Sequence, residues 1–447
     1  MNKILSIALL FSSALSFTAC VDEEADLFDK SAAERLNEAS ELYSERLTAS
    51  PNGWAVQLYP TTKDEAPYGN GYLLMFRFHK DKSVDASMNN SLSGGKYMTD
   101  TSAWDVITDN GPVLSFNTYN TVVHTFSNPE DVASTGNKEN PNDETGTGIG
   151  GDYEFIIVDA PEDASYMMLK GKKRGTYNLL TPVEEGVDFE SYLADVKAFQ
   201  NKMFSTSSPS SDYLHRGDKV YVFDDGNTGV PAIYPWGQDK VMASGFNPFL
   251  ITKRGDDYYL RFRDAFQDDD ITVQDFKYIP EKDIFQSVDN ENYYICGDTA
   301  SNFFDKSIST KREWRITTSS SMSETVKSQI QKISTAFKKI NKSYTFKYFA
   351  LKGGNADNTI VLSCYYGNSN AAFNYSYKIE GDVCTLTYTG CNAAAQNILN
   401  AIPDLSDFIN MLSQSFGLNG GETNFDMSEI KLSSTSDSNL WFNVVLK

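Results

Sequence analysis

The sequence predicts an α+β protein of antiparallel β-meanders, each packed with amphipathic helices, in a duplicated arrangement of two or three lobes. Three observations point there. Strand-length stretches that alternate in side-chain direction, such as "GYLLMFRF" (71–78) and "YYLRFR" (258–263), recur along the whole chain. Segments 31–49, 188–204 and 323–341 instead repeat apolar residues at helical spacing behind a capping residue. The two ends of the chain also share an order: a capped helix, a meander, a Gly-Gly pair (150–151 and 420–421), then two closing strands.

The first element is a leader. Lys3 forms a short basic region and Ile4 to Phe17 an apolar stretch of signal-peptide length, too short to span a bilayer. Phe17-Thr18-Ala19-Cys20 resembles a bacterial lipobox, in which the cysteine is acylated and becomes the mature N-terminus; Phe17 departs from the usual leucine. The acids Asp22, Glu23 and Glu24 that follow resemble the export signal of Bacteroidetes lipoproteins displayed on the outer face of the outer membrane. A solvated tether is the plainer reading of those acids, and the two are compatible.

Ser31 and Glu34 have the Ser-x-x-Glu form of a capping box, and Ala32, Leu36, Tyr43 and Leu47 make the stripe of the helix they open. Pro51 to Gly53 end it. Strands follow at 54–60, 71–78, 83–89, 112–120, 151–158 and 165–172. In 71–78 both alternating sets are largely apolar, so both faces are expected to be covered. Segment 128–151 has only Val132, Ala133 and Ile149 as apolar residues and reads as a long exposed loop. The second helix is capped by Asp188 and ends in a Ser-rich break at 205–212. Strands are expected at 219–223, 258–263 and 271–279. The third helix carries Val326, Ile330, Ile333, Phe337 and Ile340, with Ser321 placed as its cap. Strands near 344–351, 359–366, 372–380 and 383–389 precede a helical stretch at 392–416 interrupted at Pro403, then strands at 428–434 and 440–446. "LSFNTYNTVVHTFSNP" (114–129) also rhymes with "LTYTGCNAAAQNILNAIP" (386–403). Internal duplication with a related unit between is one reading; chance reuse of a common order is the other. The expected division is 1–19 leader, 20–30 acidic tether, then lobes over 31–185, 186–310 and 311–447.

The 40% hydrophobic and 22% charged residues are those of a globular protein. With 60 acidic against 39 basic residues and a net charge of −21, nucleic acid is excluded as a natural partner, as is a purely electrostatic hold on anionic lipid. Solubility is the ordinary consequence of such a charge.

Catalytic motifs are missing. His79, His124 and His215 are isolated, and no H-E-x-x-H, G-x-S-x-G or phosphate-loop pattern occurs. "DDGNTG" (224–229) and "QDDDI" (267–271) offer oxygens to Ca²⁺ but lack the spacing of a calcium loop, so no cofactor is expected beyond that weak possibility of calcium. Cys364 and Cys384 fall in step with inward strand residues and read as buried thiols; with Cys296 and Cys391 they leave disulfide pairing open. In "VPAIYPWGQ" (230–238), Tyr234 and Trp236 flank Pro235 in turn chemistry, where displayed rings could stack on a sugar or a peptide side chain. The commoner outcome is that such a Trp turns inward and plugs the core. Thr299, in Asp298-Thr299-Ala300, resembles the Bacteroidetes O-glycosylation sequon, and equally an ordinary turn.

"ERLNEASELYSERLTASPNGW", "SFNTYN", "GGDYEFIIV" and "LKGKKRG" together resemble a family of Bacteroidetes surface lipoproteins grouped by a domain of unknown function. The likeness is strongest over about residues 20–185. It implies an accessory of a nutrient-uptake locus, encoded beside a TonB-dependent transporter, a SusD-like lipoprotein and a separate zinc metallohydrolase. It carries over no functional residue except Cys20. The expectation is therefore a lipid-anchored, non-enzymatic protein on the outside of the outer membrane that captures a glycan or peptide for an importer. A structural or adhesive surface protein and a carboxylate-based hydrolase are the alternatives.

Overall fold

The computed structural model describes residues 30–62, 69–109, 111–128, 149–204, 212–224, 231–237, 246–269 and 271–447. Cys20, Asp22, Glu23, Glu24, nearly all of the 128–151 loop and most of 205–212 and 224–229 lie outside them.

Helix α1 (Ala32–Ala49) opens on its capping box: Glu34 N donates to Ser31 Oγ at 3.3 Å, and Ser31 N donates to Glu34 Oε2 at 2.9 Å. Ala32 stays exposed; the far end packs down through Leu47 and Tyr43. They meet a closed barrel of eight antiparallel strands in chain order, β1 (Trp54–Leu58), β2 (Tyr72–Phe78), β3 (Ser83–Met88), β4 (Met98–Asp109), β5 (Gly111–Phe116), β6 (Glu154–Asp159), β7 (Met167–Gly171) and β8 (Tyr177–Pro182). A short helix α2 (Thr121–His124) lies between β5 and β6. Strand β8 returns to pair with β1, Trp54 opposite Pro182, so the ring has no open edge. Both faces of β2 are covered, as its pattern predicts. Leu74, Phe76 and Phe78 fill the barrel, while Met75 joins the core of the next unit.

Helix α3 (Phe189–Met203) is capped by Asp188, which accepts from Ser191 N at 2.9 Å. Its apolar face lies on a second set of eight strands, with Phe199 stacked on Tyr258 at 3.8 Å. These are β9 (Asp212–Arg216), β10 (Lys219–Asp224), β11 (Ala232–Pro235), β12 (Phe249–Arg254), β13 (Asp257–Asp268), β14 (Ile271–Ile279), β15 (Ile284–Ser287) and β16 (Tyr293–Cys296). The sheet runs β11-β10-β9-β16-β15-β14-β13-β12. First and last strands again pair, and the ring opens only between its third and fourth strands.

The third unit is a closed barrel too. Helix α4 (Ala300–Ser309) leads into β17 (Glu313–Thr317), helix α5 (Glu324–Ile340), β18 (Phe346–Gly353), β19 (Thr359–Tyr366), β20 (Ser369–Glu380) and β21 (Val383–Cys391). Helices α6 (Ala393–Ala401) and α7 (Pro403–Met411) then precede β22 (Ser415–Asn419), β23 (Glu429–Ser434) and β24 (Trp441–Leu446), which closes on β17. Three expectations need correction here. The cap of α5 is Ser323, whose Oγ accepts from Val326 N at 3.4 Å, not Ser321. Ile340 is the last residue of α5 and is exposed, because the helix has by then run past the core. And α4 buries Phe303, Phe304 and Ile308 with Trp314 in this barrel's core, so a division at 310 would cut the helix from the unit it packs in.

The first and third units share more than strand order. Trp54 Nε1 donates to Leu47 O at 2.8 Å, and Trp314 Nε1 donates to Ser307 Oγ at 2.6 Å. Each buried indole thus pins its first strand to the end of the preceding helix. After the fifth strand, Asn120 caps α2 and Asn392 caps α6, which aligns the two rhyming stretches of sequence. The Gly-Gly pairs do not correspond: 150–151 precede the sixth strand of their barrel and 420–421 follow the sixth of theirs.

The middle and third units are locked together. Phe425, from the β22–β23 loop, is fully buried in the middle unit's core. Asp283 accepts from Thr423 Oγ1 at 2.9 Å and from Asn424 N at 2.7 Å. Gly297 leaves space for that loop; a Cβ there would stand 2.0 Å from Asn424 O.

Candidate functional site

A cleft of about 1010 Å³ lies where the outer face of the middle sheet meets α4. Strand alternation builds the first wall. Leu214 and Ile295 point into the core, so Tyr213, His215, Tyr294 and Cys296 point out of it. Trp236 stands beside them on the turn after β11, 61% exposed, its ring 5.2 Å from that of Tyr213. His215 and Tyr294 form a second pair, parallel at 4.8 Å. Helical periodicity builds the second wall. While one face of α4 is buried, Asn302, Asp305, Lys306 and Ser309 recur at i, i+3, i+4 and i+7 on the face toward the cleft.

Asp298 and Thr299 join the two walls. The Asp298 carboxylate is buried and accepts from Thr299 N at 2.9 Å and Tyr213 OH at 3.3 Å. Burial pushes its carboxyl above the usual range, with these donors working against the rise. Burial also lowers His215, which favours a neutral ring at pH 7. The Cys296 thiol is pushed up to about 12 by burial and by Asp212, Asp298 and Asp283, so it stays protonated and is a poor nucleophile. Below the aromatic wall, Arg216 donates to Asp268 at 2.6 Å and to Asp269 at 3.0 Å, and Lys219 reaches the same two acids at 3.3 and 3.0 Å. That network ties β9 and β10 to the end of β13.

The structure separates the two rings expected to stack. Trp236 lines the cleft and does not plug the core, whereas Tyr234 lies in strand β11, opposite Val222, and is half-buried. Trp236 and Gly237 form a turn, and Ala232–Pro235 before them extend the sheet. Thr299 is exposed at the mouth of the cleft, and it is a helix cap: its Oγ1 accepts from Asn302 N at 3.2 Å. The histidines are far apart in the fold. His79 Nε2 lies 2.8 Å from Asp85 Oδ2, His124 is flanked by Tyr119 and Tyr153 at 5.1 and 5.0 Å, and His215 is in the cleft. Asp268 and Asp269, from the run read as possible calcium ligands, are engaged with Arg216 and Lys219. No group of three or more His, Cys, Asp or Glu among the described residues is placed to hold a metal ion. Cys364 and Cys384 are buried free thiols in the third barrel, and burial pushes Cys384 up to about 12. Among the described residues no helix is long and apolar enough to cross a membrane.

Sequence reasoning missed Tyr213, His215, Tyr294 and all of α4 as parts of one site. The spacing of Asn302, Asp305, Lys306 and Ser309 was the available signal.

Several solved structures align with the chain at low similarity. A tryptophan-to-alanine mutant of transferrin binding protein B from Haemophilus parasuis is 10% identical, with 88% of this chain and 75% of that one covered and a TM-score of 0.14. The Caulobacter crescentus DNA polymerase III beta chain is 8% identical over 92% of this chain and 98% of its own, TM-score 0.12. The beta subunit from Streptococcus pyogenes DNA polymerase is 8% identical over 91% and 98%, TM-score 0.12. Scores of that size support no argument about fold or function. No curated protein matches. One family model does match, over residues 24–280 and so over more than half of the chain, and the chain belongs to that family, described as a domain of unknown function (DUF4302).

Proposed function

We propose that this protein is a lipid-anchored accessory on the outer surface of a Bacteroidetes-type outer membrane, which captures a glycan or peptide without transforming it. It would serve a TonB-dependent importer and its SusD-like lipoprotein. The observation that carries the reading is Trp236: a large ring 61% exposed in a cleft between two units, backed by further rings and faced by polar side chains. A displayed ring backed by other rings in a concave site with convergent polar groups is the usual make-up of a ligand cleft. The expected leader over 1–19, followed by Cys20 and the acids after it, supports the location. A protonated Cys296 supports binding over thiol-based nucleophilic catalysis.

Location and capture are tested together. Metabolic labelling with a fatty-acid analogue should tag the chain through Cys20, protease added to intact cells should shave it, and the transporter should co-purify with it. A processed form starting elsewhere than Cys20, or a chain protected on intact cells, removes the surface reading. Asp298 favours one competing reading, carboxylate-based hydrolysis, because burial raises its carboxyl in the cleft. Turnover of a polysaccharide or peptide that is abolished by Asp298→Asn with folding intact would establish that reading instead.

A further inference from the structure

The cleft's chemistry narrows the class of ligand, and the narrowing rests on the capture reading above. We propose that the cleft takes a neutral oligosaccharide, with a sugar ring stacked on Trp236 and its hydroxyls bonded to side chains of α4.

Three observations separate this from an extended peptide. The first is the backbone of the aromatic wall. Strand β9 is paired on both sides, by β10 and β16; β10 is flanked by β9 and β11, and β16 by β15 and β9. A peptide recognised by strand addition needs an unpaired edge, and these strands offer it none. Recognition here falls to side chains.

The second is the pairing of the walls. One side presents flat rings, Trp236 beside Tyr213 and His215 parallel to Tyr294. The other presents an amide, a carboxylate, an ammonium and a hydroxyl, one helical turn apart. A pyranose has the matching shape: an apolar C–H face for a ring and an equatorial rim of hydroxyls that both donate and accept. Asn302 and Lys306 can donate to such a rim; Ser309, whose Oγ donates to Lys306 O at 2.9 Å, and Asp305, which also accepts from Tyr377 OH at 2.7 Å, can accept from it. Tyr213 positions the indole. Its hydroxyl is held by Asp298, so the ring beside Trp236 has a fixed orientation.

The third is charge. Asp218, Asp298 and Asp305 line the cleft with Lys306 as the cation among its lining residues, and the whole chain carries −21. A uronate or sialylated glycan would meet like charge there, least screened at the buried Asp298. A neutral glycan meets no such repulsion and finds both donors and acceptors for its hydroxyls. The volume of about 1010 Å³ is at the upper end for ligand clefts and leaves room for more than one ring.

Of the five tryptophans, Trp54, Trp104 and Trp314 are fully buried and Trp441 is half-buried, so Trp236 is the most exposed, and a Trp441→Phe background isolates its emission. The test uses the purified full chain on an array of neutral, N-acetylated and acidic oligosaccharides, with tryptic casein peptides alongside. Hits are titrated by protection of tryptophan fluorescence from acrylamide. We expect neutral oligosaccharides to bind and protect, acidic ones of the same length to bind at least about tenfold more weakly, and Trp236→Ala to cost about tenfold or more. Asp305 also accepts from Tyr377 OH at 2.7 Å, so two variants are compared: Asp305→Asn should weaken binding several-fold, whereas Tyr377→Phe, which breaks that bond and keeps the carboxylate, should leave binding nearly unchanged, separating recognition from folding. Peptides that bind through Trp236 in place of glycans would overturn the glycan proposal and leave capture standing. Protection by neither class would remove both.

Discussion

Truncating Phe425 to alanine tests how the middle and third units are joined. The ring enters from the β22–β23 loop and sits 5.6 Å from Phe204 and 5.5 Å from Phe285, edge-on to both. A buried Phe→Ala change costs about 3–5 kcal/mol, of which two edge-to-face pairs account for about 1–3. The upper half of that range applies here. The neighbouring Asn424 backbone already fills the space above Gly297, with no room for a Cβ, so the loop cannot sink to close the cavity. Phe425 does not belong to the core of its own barrel, so the loss falls on the junction and on the middle unit. Differential scanning calorimetry should show the middle unit melting about 8 °C or more below its wild-type position, separated from an almost unmoved third barrel. Because α4 rides with the third unit, ligand protection of Trp236 should weaken as well, although no cleft residue has changed. A single transition within about 1 °C of wild type would show that the ring contributes nothing to coupling, and the lock would have to be abandoned.

Other perturbations probe the remaining features. Burial alone would push the Asp268 carboxyl up, but hydrogen bonds from Arg216, Tyr221, Lys219 and Tyr293 outweigh it and hold the group below the usual carboxylate range. Its stabilisation is therefore full above the unfolded value of about 3.9 and is lost as pH falls through the lower folded value. Asp268→Asn should cost about 2 kcal/mol at pH 7 in urea titrations, shrinking below about pH 4; a pH-independent difference contradicts the assignment. Trp54→Phe and Trp314→Phe each remove an indole donor held between helix and strand, and each should cost at least about 1 kcal/mol. If only one of the two matters, the barrels are not held alike. Thr299→Ala should cost about 1 kcal/mol through the lost cap of α4, and intact mass of the chain purified from its native host shows whether the same hydroxyl carries a glycan.

How much of this was legible in the sequence depends on how local the cause is. The caps and stripes of α1 and α3 are local, and those helices formed where the signals stand; α5 kept its stripe up to Phe337, with its cap two residues on from Ser321, at Ser323. Strand β2 declared both of its faces through two apolar sets. Strand β4 did not, because Thr99, Asp100 and Thr101 mask the inward Ser102, Trp104 and Val106 until the partner strands are known. Helix α4 is ten residues rich in Ser, Asn and Asp, and its first turn looks like a modification sequon. Ring closure was out of reach, since nothing near Trp54 announces Pro182. The cleft was illegible for the same reason: its rings come from β9, β16 and a turn, and its polar face from a helix that packs into another unit. Trp236 was singled out by the Pro and Gly around it, and Tyr234 shared that context without sharing the site.

Pairing the first strand of every unit with its last has a consequence for the order of events in the cell. Trp314 cannot meet Leu446, nor Arg216 Tyr293, until all the intervening polypeptide has emerged. Such distant pairings make assembly slow compared with helical proteins of similar length. Under the export proposed above, that delay would be useful: the translocation machinery would receive a loose thread, and the rings would close only on the far side.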